Sequence, residues 1–207
     1  CLLSLAYLSG LPVPVIARNE PPARAPGTAA AGDAADGAAA GGIDTDRTRI
    51  GFTLKTRWGQ TLRGHFPEYA GSIESLADGK HQVRLRLSAR TVSIDDHANY
   101  TRFMRGEGFF DAERYPEVRF VSRPYDPALL RTGGKLAGTL HIRDTRREET
   151  FLIAPSACGR PAHECDVVAV GSVRRSDYGV DRWMFAVSDR VRFTLHLRLA
   201  GGTAGEA

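Results

Sequence analysis

Hydrophobic and polar residues alternate with a period of two in seven segments of the chain between residues 49 and 200. Such alternation is typical of β-strands that bury one face and expose the other. The seven segments read RIGFTLK, QVRLRLSA, EVRFVS, KLAGTLHIR, TFLIA, DVVAVGSVRR and VRFTLHLRLA. Seven or eight such strands, separated by turn residues, predict an all-β fold that is either an antiparallel sandwich or a closed barrel.

One segment between two of these strands, HANYTRFMRGEGFFDAERYP, has a different pattern. It predicts a short helix that Asn99 caps and that ends at Gly106, because its apolar residues recur at helical spacing. The phenylalanine pair Phe109 and Phe110 follows the helix, and Pro116 leads into the next strand. We therefore expect a short helix and an apolar lid at one end of the strands.

Residues 1–17, CLLSLAYLSGLPVPVIA, carry no charge and favour the remnant of a secretory signal or membrane anchor. Two alternatives are a lipidated Cys1 and an ordinary buried segment. The signal or anchor interpretation and the lipidated Cys1 both imply export, to the periplasm or to a membrane that faces it. Residues 18–42 predict a flexible linker, because 18 of their 25 residues are Ala, Gly or Pro. A domain over residues 43–200 and a tail over residues 201–207 complete the predicted organisation.

The net charge is +4 and the pI is about 9.2, yet basic and acidic residues are interleaved along the chain. No run of five like charges occurs, so we expect no nucleic-acid partner. The chain has no nucleophile-elbow, zinc-binding, P-loop or dinucleotide motif, and its six histidines are scattered. The sequence therefore predicts a protein that is not an enzyme and that holds no metal and no cofactor.

Cys158 and Cys165 lie seven positions apart in a loop rich in Gly and Pro. In an oxidising compartment this spacing favours a disulfide. Free thiols and a metal site that includes His163 are the alternatives, although the spacing matches no standard zinc pattern and lacks a fourth ligand.

Five blocks of sequence, in order, carry a resemblance to a known family. They are Arg63-Gly64-His65-Phe66 followed by Gly71, GFFDAERYPEVRFVS, LAGTLHIRDTRREETF, Arg175-Ser176-Asp177-Tyr178-Gly179-Val180, and Val187-Ser188-Asp189. Residues 43–200 thus resemble the YceI-like, polyisoprenoid-binding proteins. The resemblance implies an antiparallel, eight-stranded, lipocalin-like barrel with one short helix and a lid.

The chain departs from the family at two places. Arg47-Thr48 stands where relatives often have a histidine-serine pair, and Tyr100-Thr101-Arg102-Phe103 replaces an arginine-aspartate-x-histidine pattern. A polar cluster at the helix end of the barrel is therefore absent, so the resemblance does not define the head group of a ligand.

The resemblance implies that the barrel binds a lipid with a polyisoprenoid or quinone-type tail, for transport or storage. The expected lining and lid residues, each of which can equally be plain core, are Phe52, Leu54, Phe66, Leu85, Leu87, Phe103, Phe109, Phe110, Phe120, Leu140, Trp183, Phe193 and Leu195. Small residues at Gly64, Gly138, Ala169 and Gly171 either leave space for a tail or mark bends. Further expected partners are a membrane surface and a second copy of the chain. The alternative function is an interaction module of the envelope stress response, with a filled barrel.

Overall fold

The computed structural model describes residues 39–201, and the strands in this range form one antiparallel sheet. In chain order the strands are β1 (Ala39–Gly42), β2 (Arg49–Thr56), β3 (Thr61–His65), β4 (Tyr69–Ser75), β5 (His81–Ser88), β6 (Ser93–Ile94), β7 (Glu117–Ser122), β8 (Gly134–Ile142), β9 (Thr145–Ile153), β10 (Val167–Arg174) and β11 (Val187–Leu197). Their order across the sheet is β1-β4-β5-β7-β8-β9-β10-β11-β2-β3-β6.

The helical elements are short. They are α1 (Ala98–Arg105), α2 (Leu129–Thr132) and a 3-10 turn at Ser176–Tyr178. The predicted short helix is present as α1: it begins after His97, two residues earlier than expected for an Asn99 cap, and ends at Gly106 as expected. No helix within residues 39–201 is long and apolar enough to cross a membrane.

The all-β antiparallel class is confirmed, but the closed eight-stranded barrel is wrong. The eleven strands between residues 39 and 201 form a curled half-barrel whose two edges are β1 and β6. Ile43, just after β1, links this edge of the sheet to the segment that follows β11. Its backbone N–H donates to Gly71 O at 2.9 Å, and the residue also forms an isolated bridge with Leu199.

Strands β1, β4 and β6, which the sequence pattern does not predict, have weak hydrophobic alternation. In β4, YAGSIES, the one fully buried side chain is Ile73, so the period-two signal is nearly absent. β6 has two residues, and β1 lies in a stretch of Ala and Gly that composition assigns to the linker. These strands form because neighbouring backbone groups pair with them, which is a tertiary effect that single-sequence patterns do not report.

Strand β1 lies in the last four residues of the predicted linker, where it pairs with β4. The predicted signal or anchor at residues 1–17, most of the linker and most of the tail lie outside the described residues.

Candidate functional site

The concave side of the sheet encloses an interior that is lined almost entirely by apolar side chains. Ten of the predicted lining residues are buried there: Phe52, Leu54, Phe66, Leu85, Leu87, Phe109, Phe120, Leu140, Phe193 and Leu195. Eight of them reach the same side because each strand presents alternate residues to it, whereas Phe66 follows β3 and Phe109 lies in the loop after α1. Phe110 is partly buried and packs against them, with its ring centroid 5.8 Å from that of Phe66.

The two other predicted lid residues point elsewhere. Phe103 is 53% exposed and Trp183 is 44% exposed. Their ring centroids lie 5.9 Å apart, so they form an outer aromatic group rather than part of the interior. Phe103 is exposed because α1 turns Met104 toward the core instead.

Three of the small residues, Gly64, Gly138 and Gly171, face aromatic rings and not open space. An added Cβ at Gly64 would lie 2.5 Å from the Phe52 ring. An added Cβ at Gly138 would lie 2.6 Å from the Phe120 ring, and one at Gly171 would lie 2.6 Å from the Phe151 ring. The rings of Phe120 and Phe151 pack edge to face, with centroids 5.1 Å apart. The glycines thus make room for phenylalanine side chains, while Ala169 lines the remaining cavity.

That remaining interior cavity is small. Its volume is about 60 Å³, and its lining includes Val83, Leu85, Leu140, Ala169 and Leu195. Pockets that hold small molecules typically have volumes of about 300–1,000 Å³. An occupant larger than a few atoms therefore requires core side chains to move.

A second, smaller cavity of about 40 Å³ lies under the lid. Along β11 it contacts Val191, whereas the main interior cavity extends to Leu197, so the two cavities approach opposite ends of the strands. Both touch Phe193, whose ring centroid lies 6.1 Å from that of Phe52. The aromatic side chains in the middle of the sheet divide the interior in two.

Arg175 closes the lid end from inside. It is only 5% exposed, and its Nη1 donates to Val180 O at 2.9 Å and to Arg182 O at 3.2 Å. Its Nε donates to Ser188 O at 3.0 Å and its Nη2 to Val187 O at 3.1 Å. These bonds hold residues 180–188 against the sheet. We call this segment the lid loop, because it lies beside the lid phenylalanines.

The guanidinium of Arg175 also stacks on Phe109, one of the two lid phenylalanines. Its central carbon lies 5.3 Å from the centroid of that ring. Burial lowers the pKa of this guanidinium, although the nearby carboxylates of Asp189 and Asp181 act in the opposite direction. The sequence identifies Arg175 only as part of a family motif, and nothing in that motif shows that its side chain binds backbone carbonyls.

Tyr178 is the second buried polar residue near the lid. Its hydroxyl donates to Glu149 Oε1 at 2.8 Å, and burial together with Glu149 raises the pKa of the tyrosine. The polar groups at this end are therefore engaged by the protein itself, and the lid end offers no ready site for a ligand head group.

The opposite end of the strands carries an open pocket of about 340 Å³, which we call the mouth. It lies between β4, β5, α2 and the loop between Cys158 and Cys165; its lining includes Ile73, His81, Leu130, Arg131, Arg160 and His163. Ile73, Leu130 and Leu199 line both the mouth and the interior cavity. Only apolar side chains thus separate the two spaces.

A disulfide joins Cys158 to Cys165 and shapes one wall of the mouth. The Ser156 hydroxyl lies 3.0 Å from Cys165 Sγ, and the Ser156 backbone N–H donates to Arg131 O at 3.1 Å. The disulfide loop and α2 are therefore tied together at the rim.

The mouth was not predicted from the sequence, because the helix α2, which forms one of its walls, was not predicted. The signals were present: Asp126-Pro127 precedes the helix and Gly133-Gly134 follows it. Asp126 Oδ1 accepts the Ala128 backbone N–H at 2.8 Å, and Gly133 adopts a φ of 72° that favours glycine.

Two polar atoms near the mouth are buried without a hydrogen-bond partner in the described part of the chain. They are His81 Nδ1 and the Tyr125 hydroxyl. The two rings pack edge to face with centroids 6.1 Å apart, and burial raises the pKa of Tyr125 to about 12. Within residues 39–201 no group of three or more His, Cys, Asp or Glu side chains could hold a metal ion.

Comparison with known proteins identifies the fold. A family model for the YceI-like domain matches residues 42–199. The chain belongs to the YceI-like family. The resemblance seen in the sequence is thereby confirmed over nearly the whole of the described YceI-like domain.

Solved structures resemble this YceI-like domain. Burkholderia cenocepacia BcnA is 18% identical with a TM-score of 0.62, and the match covers 75% of this chain and 98% of BcnA. A polyisoprenoid binding domain from Saccharophagus degradans, implicated in plant cell wall breakdown, is 13% identical with a TM-score of 0.57; the match covers 77% of this chain and 97% of that domain. The Campylobacter jejuni YceI protein is 18% identical with a TM-score of 0.51, over 67% and 84% of the two chains. These likenesses show a shared fold.

One curated relative is similar in sequence. A UPF0312 protein of Photorhabdus laumondii is 27% identical over 74 residues. The match covers 35% of this chain and 38% of that protein, so the chain spans about two fifths of the relative's length.

Proposed function

We propose that this YceI-like chain is an exported protein that binds the apolar tail of a polyisoprenoid or quinone-type lipid within its curled sheet. The protein then carries or stores the lipid, and no catalytic step is involved. The observation that carries the proposal is the apolar interior, which contains Leu85, Leu140 and Leu195 and meets an open mouth at one end. The polyisoprenoid binding domain from Saccharophagus degradans supports it through its shared fold.

A lipid tail must enlarge the interior cavity of about 60 Å³. Each buried methylene contributes about 0.8 kcal/mol, so a tail of several isoprene units can offset the cost of moving a few side chains. Leu130, which separates the cavity from the mouth, lies on the four-residue helix α2 and is only partly buried. This segment is the easiest part of the wall to displace.

The disulfide between Cys158 and Cys165 supports the export part of the proposal, because disulfides persist in oxidising compartments such as the periplasm. Contact with a membrane surface and a homodimer stay part of the proposal. The exposed aromatic side chains Trp58, Trp183 and Phe185 offer a surface for either partner.

The small cavity favours a second candidate function. A barrel-like domain that is already filled by its own side chains can act as an interaction module, with its outer surface binding a protein of the envelope stress response. Bound lipid distinguishes the two candidates.

Native and denaturing mass spectra of the full chain, purified without detergent, test the proposal. We expect an added mass that is lost on denaturation and that extracts into organic solvent. The matched variant is Ala169→Leu, which fills the interior cavity and should purify with less lipid. A bare mass after incubation with quinones and polyprenols would contradict lipid binding and favour the interaction module.

A further inference from the structure

The lid end carries most of the large apolar side chains that are exposed within residues 39–201. Six of these seven side chains lie on three neighbouring segments, which are the turn between β2 and β3, helix α1 and the lid loop. We call them the aromatic surface: Trp58, Tyr100, Phe103, Trp183, Met184 and Phe185. Trp58 is 78% exposed and Phe185 is 69% exposed, so these rings do not serve the core. Contiguous exposed apolar patches mark sites that contact another surface.

Ring contacts and a backbone hydrogen bond join the three segments into one surface. The ring centroid of Trp183 lies 5.9 Å from that of Phe103 on α1 and 5.5 Å from that of Phe185. The backbone N–H of Arg57, in the turn between β2 and β3, donates to Ala186 O in the lid loop at 2.9 Å. The exposed rings are therefore neighbours and not scattered side chains.

The lid loop presents its rings on a fixed turn. Trp183 adopts a φ of 66°, in the left-handed region that residues other than glycine rarely occupy. Its carbonyl accepts the backbone N–H groups of Ala186 at 2.9 Å and Val187 at 2.8 Å, and Arg175 holds the loop from inside. Strained backbone of this kind persists where surrounding contacts hold it, and it is concentrated at functional sites. The turn thus keeps Phe185 exposed without a partner.

Arginines accompany the aromatic surface. Arg57 and Arg102 are exposed, and neither side chain has a hydrogen-bond or ion-pair partner among residues 39–201. Arg102 lies two residues before the buried Met104, and so on the outward side of α1. Arg182, in the lid loop, lies 3.9 Å from the carboxylate of Glu107. The surface therefore combines exposed rings with two uncompensated positive charges.

The acidic residues closest in sequence do not cancel these charges. Asp95 and Asp96 come before the first turn of α1, and Asp95 is engaged by His65 at 2.8 Å. Asp181, at the start of the lid loop, is next to Arg182 in the chain. The carboxylates are thus matched by other cations, whereas Arg57 and Arg102 stay available.

From this combination we infer that the aromatic surface docks on the interface of an anionic phospholipid bilayer. Tryptophan and tyrosine rings favour the level of the lipid head groups, and arginines near that level attract anionic lipids. A second copy of the chain is a poorer match, because a symmetric contact would double the unpaired positive charge within one interface.

This inference rests on the membrane contact in the proposed function and deepens it, because it assigns the residues and the lipid charge. It does not depend on a tail inside the sheet. The mouth lies at the opposite end of the strands and stays uncovered when the aromatic surface is docked.

Tryptophan fluorescence tests the docking directly. The chain contains two tryptophans, and both Trp58 and Trp183 belong to the aromatic surface. Their emission therefore reports on this surface even if residues 1–17 of the full-length protein also enter the lipid. The protein is titrated with vesicles of phosphatidylcholine alone or mixed equally with phosphatidylglycerol. We expect a blue shift and quenching by brominated lipid in the mixed vesicles, and partitioning into the neutral vesicles that is weaker by about fivefold or more.

Variants separate the contributions of charge and of the rings. Arg57→Gln and Arg102→Gln should each weaken partitioning into the mixed vesicles about fivefold, which corresponds to about 1 kcal/mol. Phe185→Ser should weaken partitioning into both kinds of vesicle, because the ring no longer contacts the lipid. The matched controls are Arg86→Gln on β5 and Leu152→Ser on β9, which remove an exposed arginine and an exposed leucine elsewhere. Both controls should partition like the wild type.

Three results would overturn the inference. The first is vesicle binding without any shift or quenching of the tryptophans, since another part of the chain would then hold the membrane. The second is equal partitioning into neutral and mixed vesicles. The third is shielding of the tryptophans by self-association without lipid, abolished by Phe185→Ser, which would assign the surface to a homodimer. A protein that docks as expected but purifies without lipid would contradict tail binding alone and leave this inference standing.

Discussion

Arg175 is a buried cation whose partners are backbone carbonyls rather than a carboxylate. Its hydrogen bonds reach residues near both ends of the lid loop, and its guanidinium packs on Phe109. A buried charge is tolerated only where hydrogen bonds replace its hydration. One side chain thus holds the loop that covers the lid end.

Replacing Arg175 with Met keeps the bulk but leaves several buried carbonyls unpaired. We expect the free energy of unfolding to fall by about 3 kcal/mol, because hydrogen bonds to charged groups contribute about 1.5–3 kcal/mol each and their losses are not additive. Urea unfolding followed by fluorescence measures the change. The exposed Arg57→Met variant is the control, and equal stability of the two variants would contradict the role assigned to Arg175.

Gly138 tests the close packing of glycine against aromatic rings. An added Cβ would lie 2.5 Å from Val121 O and 2.6 Å from the Phe120 ring. Gly138→Ala should therefore lower the free energy of unfolding by about 1–3 kcal/mol, as overpacking does. Gly42→Ala is the matched control, since no atom lies within 4 Å of its added Cβ. A neutral Gly138→Ala would show that open space, and not a ring, lies over this glycine.

Two carboxylates make stability depend on acid pH. The hydrogen bond from Arg198 lowers the pKa of Asp166, and bonds from Ser176 lower that of Asp189 despite its partial burial. A lowered folded-state pKa contributes stability above the unfolded value of about 3.9, and that stability is lost as the pH falls through the folded value. Urea midpoints should fall steeply below about pH 4, less so in Asp166→Asn. If the urea midpoint of Asp166→Asn fell with pH as steeply as that of the wild type, Asp166 would not be a source of the acid sensitivity.

At the scale of elements, the disulfide loop and α2 form the mouth together. The Ser156 backbone links them through Arg131 O, and Leu199 donates its backbone N–H to Ala162 O at 2.9 Å within the same loop. The loop also packs Ala162, which is buried, against the core. The disulfide is thus coupled to the end of the sheet.

Removal of this disulfide should destabilise the protein. Closing a loop of this length restricts the unfolded chain by roughly 2–3 kcal/mol, so a reductant should lower the unfolding free energy by about that amount. Urea unfolding with and without reductant measures the difference. The double variant Cys158→Ser, Cys165→Ser should be insensitive to reductant, and an unchanged midpoint in the wild type would contradict a stabilising role.

Sequence patterns identified the elements with strong alternation and those with family motifs. β2, β5, β7 and β8 carry buried residues at alternate positions, as expected. β10 does so except at Gly171, and β11 does so in its middle, from Val191 to Leu195. The alternation of Leu136, Leu140 and Ile142 in β8 is one example. β1, β4, β6 and α2 are short or poor in apolar residues, so hydrophobic alternation does not reveal them. The mouth escaped notice because α2 forms one of its walls.

On the scale of the whole molecule, the interior is lined almost entirely by apolar side chains and is nearly full. The phenylalanines of its middle layer pack with centroids between 5.1 and 6.1 Å apart, and about 60 Å³ is left beside them. A core of this density resists small changes but can rearrange when enough apolar surface is gained. The proposed binding of a lipid tail would therefore be a property of the whole curled sheet.

The most direct test of this account is a crystal structure of the full-length protein with farnesol bound. We predict electron density for the tail beside Leu85, Leu140 and Ala169, with Leu130 displaced toward the mouth. Density for farnesol on the outer surface, or an interior unchanged while calorimetry shows binding, would contradict the account.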